Sequence, residues 1–169
     1  LADHDMLTDL PNRRVMMSRI AQALTCSLTR SQRLNALLYL DLDDFKAIND
    51  RQGHEAGDRL LRTVAERLRG CVRAVDTVAR FGGDEFVVLL QAADNEPEGD
   101  VRRMVTRLAE TLVRELGEPM LLHGRRPRHG HPVAVHPITQ VRVPLAADAL
   151  FRPPIAEPFV TIFLGTTGN

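Results

Sequence analysis

The sequence predicts an α/β (α+β) domain with a central mixed β-sheet of βαββαβ order flanked by helices, and three observations carry that prediction. Two short apolar runs, Ala36 to Leu40 and Phe86 to Leu90, have the length of buried strands. Gly82 and Gly83 stand between Phe81, which closes a further apolar run, and Phe86. Consecutive glycines reach φ > 0 without steric cost, which is how a tight β-hairpin is written. Between these strands lie longer segments with apolar residues at helical spacing.

Along the chain, a helix from about Asn12 to Arg30 carries Val15, Met16, Ile20, Ala23 and Leu24 on one face. The first strand spans about Ala36 to Asp41. A second helix, about Gly57 to Arg69, places Leu60, Leu61, Val64 and Leu68 at helical spacing, with Asp58 in its first turn. The hairpin strands centre on Val78 and Val88. Asp94 to Gly99 reads as a loop, with Pro97 suited to a helix start. A third helix then runs to about Leu116 on an apolar face of Val101, Val105, Leu108 and Leu112, and Gly117 is its expected stop.

With 169 residues the chain can bury a real core as one domain. Lys and Arg together number 22, and so do Asp and Glu, so no charge imbalance points to nucleic acid or a membrane surface. Cys26 and Cys71 fall in predicted helices and read as small core residues rather than a disulfide. No apolar run approaches membrane-spanning length and no signal peptide opens the chain. The expectation is a cytoplasmic domain. Because the chain opens at Leu1, it reads as a fragment, including the cytosolic part of a larger sensor or membrane protein.

The chemistry is concentrated in acidic residues beside apolar strands. Asp84 and Glu85 directly follow the glycine pair and are expected on the turn rather than inside a strand. Adjacent acids repel and are costly to desolvate, so a hairpin tip that carries them suits a cation or polar ligand. For this stretch alone, a solvated turn is the default. A second cluster, Asp41, Asp43 and Asp44, lies just past the first strand, where ligands collect in α/β sheets. On a strand, Asp41 and Asp43 share one face and Leu42 the other. If this strand pairs with the hairpin, Asp41 and Asp84 can face one hard cation. The plainer role, N-cap of a helix opening at Phe45, suits Asp43 or Asp44 but not all three aspartates.

Four motifs together carry a resemblance. They are Asp5-Met6-Leu7-Thr8-Asp9-Leu10-Pro11-Asn12-Arg13-Arg14, Asp41 through Asp50, Gly53-His54-Glu55-Ala56-Gly57-Asp58, and Arg80-Phe81-Gly82-Gly83-Asp84-Glu85-Phe86. In order and spacing they resemble the GGDEF family of diguanylate cyclases, over roughly the first three-quarters of the chain. The resemblance implies a fold like the polymerase palm and the nucleotide cyclases. It also implies an activity: two GTP molecules joined into cyclic di-GMP with release of two pyrophosphates, with Mg²⁺ or Mn²⁺.

Residue by residue, the resemblance gives Asp41 and Asp84 as metal-binding carboxylates and the Leu42 carbonyl as a backbone metal ligand. Asp84 and Glu85 become the catalytic acidic pair, one or the other helping to deprotonate the attacking 3′-hydroxyl. Asn49 and Asp58 become the readers of the guanine edge, since a carboxylate accepts from N1–H and N2–H₂ while an amide serves O6 or N3. The backbone at Phe45 and Lys46 becomes a phosphate contact at a helix start, and His54, Gly82 and Gly83 complete the substrate-binding set. Lys46, the only lysine, is on its own more simply a surface residue. Arg73 and Asp76 match an Arg-x-x-Asp that forms the family's inhibitory product site; on four residues alone, an exposed salt bridge closing a helix-to-strand turn is the plainer reading. Because each domain holds one GTP, the enzyme is expected to act as a homodimer.

Past residue 122 the pattern changes, and 1–122 is read as the catalytic core with 123–169 as an aberrant C-terminal segment. Seven of the ten prolines and four of the six histidines lie from His123 onward. An irregular Arg- and Pro-rich loop offers these histidines no ligand geometry, so a metal role is not assigned to them. Where the family has a Val-Thr-Val-Ser-Ile-Gly strand, this chain has Pro127-Arg128-His129-Gly130-His131-Pro132. Val133 to Pro137 resembles the end of that strand and Ala147 to Phe151 the start of the family's last helix. Pro153 and Pro154 stop that helix, where a phosphate-binding lysine should fall. Arg128 to His131 read one base out of frame can encode Val-Thr-Val, which would make the tail a frameshift product. Phe159 to Leu164 is strand-like but has no family counterpart to place it. Two functions follow: an active cyclase, or a catalytically inactive module that binds GTP or cyclic di-GMP and regulates an attached domain. A decayed gene product is a third, weaker reading.

Overall fold

The computed structural model describes residues 3–29, 35–42, 44–122, 133–135 and 159–164. Its elements are α1 (Arg13–Thr29), β1 (Asn35–Asp41), α2 (Phe45–Gln52), α3 (His54–Cys71), β2 (Thr77–Gly82), β3 (Glu85–Gln91), α4 (Glu98–Gly117), β4 (Met120–Leu122), β5 (Val133–Val135) and β6 (Phe159–Leu164). Four strands form one sheet in the order β2-β3-β1-β6, and β4 pairs with β5 in a small second sheet. β1 runs antiparallel to β3 and parallel to β6, so the sheet is mixed as expected.

β1 is central because its side chains are apolar on both faces. Ala36, Leu38 and Leu40 point into one core with Val78, Phe86, Val88 and Leu90, where the apolar faces of α3 and α4 also pack. Leu37 joins Ala79, Val87 and Leu89 on the other face, under Met16 and Ala23 of α1. This is the period-2 alternation of a strand buried on both sides. The domain is therefore layered, with α1 on one side of the sheet and α3 with α4 on the other. Each fully buried Leu contributes roughly 1.5–3 kcal/mol relative to an exposed one.

Several expectations are corrected in detail. α3 starts at His54 rather than near Gly57, which moves Asp58 into the second turn. Gly53, at φ 87, closes α2 and opens α3, and its carbonyl accepts from the amides of Ala56 and Gly57. The hairpin turn centres on Gly83 and Asp84, with Gly82 still on β2, and Glu85 is the first residue of β3 rather than part of the turn. A register shift between Arg80 and Gly82 absorbs the extra residue. α4 does end at Gly117, but Glu118 turns extended at φ −61, ψ 135. Pro119 follows, and a residue before proline is pushed out of the helical region. The stop is therefore set by Pro119, not by a left-handed glycine. Cys26 and Cys71 are free and half-buried, in α1 and α3.

Val133–Val135 forms β5 against β4, with Met120 opposite Val135. Phe159–Leu164, to which the sequence alone gives no place, lies along β1 from Asn35 opposite Phe159 to Leu40 opposite Leu164. The expected helix start at Ala147 to Phe151, the stop at Pro153 and Pro154, and the out-of-frame stretch Arg128 to His131 all lie outside the described residues. Among the described residues, no helix is long and apolar enough to cross a membrane.

Candidate active site

The acidic residues meet where β1 runs alongside the hairpin. Asp41, the last residue of β1, is the partner of Glu85, the first of β3, so the two side chains share a face at about 5 Å between Cα atoms. Asp84 precedes Glu85 in the turn and is half-buried, whereas Asp41 and Glu85 are exposed. The strand pairing on which a shared Asp41–Asp84 cation site depends is therefore present. Like charges directly opposite on paired strands repel each other, and a bound cation relieves that repulsion. Asp43 lies outside the described residues.

Leu42 follows Asp41 with its side chain only 4% exposed in the core beneath α3. That anchor fixes the backbone directly after Asp41. Two carboxylates and a carbonyl are hard oxygen donors of the kind Mg²⁺ takes, with water and phosphate supplying the remaining positions. Among the described residues, no three His, Cys, Asp or Glu side chains form a ready-made cage.

The hairpin tip is held by an arginine that sequence reasoning treats only as part of a motif. Arg80 sits on β2, its side chain 11% exposed. Its Nε and Nη2 donate to the Gly83 carbonyl at 3.0 and 2.7 Å, and its Nη1 donates to both oxygens of Asp5 at 2.9 and 3.1 Å. Asp5 also accepts from the Thr8 amide and hydroxyl. Burial by itself raises the Asp5 pKa, but the hydrogen bonds from Thr8 and Arg80 outweigh it and hold the carboxyl below its ordinary 3.8. The available signal was a lone cation within a strand that is otherwise apolar at its centre. Gly83 has φ 51 and Gly82 φ 140, so the turn needs both glycines. Arg13 also stacks on Phe81 at 5.4 Å from the ring centroid, and Tyr39 meets the same ring edge-on.

A second group of predicted residues gathers on α2 and α3. Asp44 precedes α2 with φ 55 and makes no side-chain cap hydrogen bond, so the expected capping role is not taken by Asp44. The first amides of α2, at Phe45 and Lys46, thus receive no cap from that side chain. Phe45 is half-buried against the core, and Lys46 and His54 are exposed. Asn49 on α2 and Asp58 on α3 are both half-buried. The Asn49 carboxamide lies against α3 at Gly57, one residue before Asp58 in sequence.

Arg73 and Asp76 lie elsewhere, at the turn from α3 into β2. The length of β2 separates that turn from the hairpin tip by ~17 Å. Asp76 Oδ2 accepts from the Arg73 amide and Nε at 3.0 and 2.9 Å, and Oδ1 accepts from Arg73 Nη2 at 2.8 Å and the Gln91 amide at 3.2 Å. The pair closes the turn but is not an exposed salt bridge, since the Asp76 side chain is 1% exposed. Hydrogen bonding to Asp76 raises the Arg73 pKa, so the guanidinium stays charged. Beside it is a cavity of about 240 Å³, bordered by Arg19, Arg69, Arg73 and Asp76. Of its three arginines, Arg73 is paired with Asp76, Arg69 lies 3.7 Å from an Asp9 carboxylate oxygen, and Arg19 donates to the Thr77 hydroxyl.

The sequence profile described as "Diguanylate cyclase, GGDEF domain" matches residues 2–126. The chain belongs to the GGDEF family. A curated relative of this GGDEF domain is the bifunctional diguanylate cyclase/cyclic di-GMP phosphodiesterase MucR of Pseudomonas aeruginosa, 50% identical over 119 residues. The match covers 70% of this chain and 16% of MucR. The solved GGDEF domain of TpbB from the same organism is 42% identical, with a TM-score of 0.60 over 71% of this chain and 66% of that one. The GGDEF domain of DgcB from Caulobacter crescentus, solved in complex with c-di-GMP, is 29% identical, with a TM-score of 0.61 over 72% of this chain and 66% of that one. The chain thus spans 16% and 26% of the length of the curated MucR and TpbB. The GGDEF fold is the palm-like cyclase fold that the resemblance implies.

Proposed function

We propose that this GGDEF domain is a diguanylate cyclase, condensing two GTP into cyclic di-GMP and two pyrophosphates. The observation that carries the reading is the β1–β3 register, in which Asp41 stands opposite Glu85 and one residue from Asp84. Asn49 and Asp58 bind the guanine edge, Asp58 accepting from N1–H and N2–H₂ and Asn49 serving O6 or N3. His54, Gly82 and Gly83 border the substrate. The start of α2 at Phe45 and Lys46, which the Asp44 side chain does not cap, offers amides and a favourable dipole to the phosphates.

Asp41, Asp84 and the Leu42 carbonyl would hold a Mg²⁺ or Mn²⁺ ion, which neutralises charge that builds on the phosphates. Asp84 or Glu85 draws the proton from the attacking 3′-hydroxyl. The new bond joins that oxygen to the α-phosphorus of the second GTP, and the bond to the departing pyrophosphate breaks. Most of the acceleration comes from positioning and electrostatics. Since one domain holds one GTP, two copies must face each other, and the active species is a homodimer. Arg73 and Asp76 bind product at the cavity beside the α3–β2 turn, aided by Arg19 and Arg69. That cavity, about 240 Å³, is below the ~300–1,000 Å³ of ordinary ligand pockets, so it takes part of the dinucleotide while the rest lies over the exposed Arg73.

The test is chromatographic detection of cyclic di-GMP after the purified chain is incubated with GTP and Mg²⁺ at several protein concentrations. Product is expected to rise more steeply than linearly with protein, and Asp84→Ala to abolish synthesis while sparing product binding at Arg73. Synthesis that survives Asp84→Ala overturns the metal assignment. A folded wild-type chain that makes no product yet binds GTP or cyclic di-GMP is instead a regulatory module.

A further inference from the structure

Gly57 is a buried glycine in the second half of the first turn of α3, with no positive φ to explain it. Glycine within a helix is unfavourable relative to alanine, so its presence calls for a steric reason. A Cβ built at Gly57 would lie 2.0 Å from Asn49 Oδ1 and 2.9 Å from its Cγ. Five other glycines differ. Gly53, Gly82 and Gly83 have positive φ and open space, Gly70 meets nothing within 4 Å, and Gly99 meets only the end of Arg103 at 3.5 Å. At Gly57 the missing methyl makes room for one specific side chain.

We propose that Gly57 is a positioning residue for guanine recognition: the notch it leaves in α3 seats the Asn49 carboxamide beside Asp58. The inference rests on the guanine-reading roles given to Asn49 and Asp58. The backbone of Asn49 cannot retreat from the notch freely. It is in the last turn of α2, where its carbonyl accepts from the Gly53 amide at 2.8 Å, and the Gly53 carbonyl in turn accepts from Ala56 and Gly57. A methyl at position 57 must therefore be relieved by rotation of the short Asn49 side chain about χ1 and χ2. The fold survives such a rotation. The carboxamide, however, moves by more than 1 Å from its seat, enough to break a hydrogen bond whose length is held to a few tenths of an ångström.

The experiment measures GTP and ATP binding by calorimetry for wild type, Gly57→Ala, Asn49→Ala and the double variant, with a thermal melt of each. Wild type should prefer GTP, because adenine lacks both the N1–H donor and the O6 acceptor. Gly57→Ala should weaken GTP binding about tenfold to a hundredfold, leave ATP binding within about twofold, and keep or raise the melting temperature through its better helix propensity. In the Asn49→Ala background the same change should have no further effect on GTP binding. Gly57→Ala that keeps the full GTP preference while Asn49→Ala loses it overturns the inference. So does a melting temperature that falls equally in Gly57→Ala and in the double variant, since the clash would then lie elsewhere. A wild type with no preference for GTP over ATP instead removes the underlying guanine-reading assignment.

Discussion

Arg80 donates to Asp5 Oδ1 at 2.9 Å across 75 residues of sequence, and the same guanidinium holds the Gly83 carbonyl at 2.7 Å. One side chain thus ties the opening segment of the chain to the turn that presents Asp84. The Arg80 amide also donates to the Pro11 carbonyl at 3.0 Å, so main chain and side chain fasten the same two segments.

Arg80→Ala should leave the Asp5 carboxylate and the Gly83 carbonyl without their charged donor. Loss of one partner from a largely buried charged hydrogen bond costs about 1–3 kcal/mol, which urea denaturation will report. Cyclic di-GMP synthesis should fall further than this stability loss explains, because the turn that carries Asp84 loses its brace. Unchanged synthesis in the folded fraction would rule out that coupling.

The same ion pair has a pH signature. The folded Asp5 carboxyl is held below its ordinary 3.8, so folding favours its ionised form. The stability it contributes is present above about 3.8 and is lost as pH falls through the lower, folded value. Melting temperatures followed downward from pH 5 should therefore drop more steeply below pH ~4 in wild type than in Asp5→Asn.

Arg73→Ala should combine two losses. It removes the side-chain donors to Asp76, whose carboxylate is 1% exposed and keeps only the amides of Arg73 and Gln91. We expect about 1–3 kcal/mol of destabilisation together with loss of cyclic di-GMP binding. Calorimetry on the folded protein separates these effects, since product binding that persists there would leave Arg73 a purely structural role.

Leu38 is fully buried at the middle of β1, with Val88 on one side and Ile162 on the other. Leu38→Ala should cost about 2–5 kcal/mol in urea denaturation. Met6 is 99% exposed, and Met6→Ser should stay within about 0.5 kcal/mol. A Leu38 variant as stable as the Met6 variant would contradict the central placement of β1.

Where local pattern and tertiary packing agree, the sequence was legible. β1, the hairpin strands and α4 fall within a few residues of their expected bounds, because their apolar periodicity is also the periodicity of their burial. Element ends were less so. The start of α3 is set by Gly53 and the end of α4 by Pro119, and in both cases a neighbouring residue rather than the expected one governs the backbone. The acidic pair, the two guanine-reading candidates and the Arg73–Asp76 turn could all be singled out because they carry motifs. Asp5 with Arg80 and Gly57 with Asn49 carry no local signal of what they touch.

By itself, then, the amino-acid sequence determined β1, the two hairpin strands, the amphipathic helices, the glycine turn and the residue types gathered for chemistry, since each depends on the intrinsic geometry of a short segment. Only the tertiary structure decided that Asp41 stands opposite Glu85, that β6 lies parallel to β1, that Arg80 bridges Asp5 to Gly83, and that Gly57 makes room for Asn49. Those are relations between segments far apart in the chain or across a helix corner. They are fixed by register, by the need to satisfy buried charge and by close packing, none of which a local stretch of sequence contains.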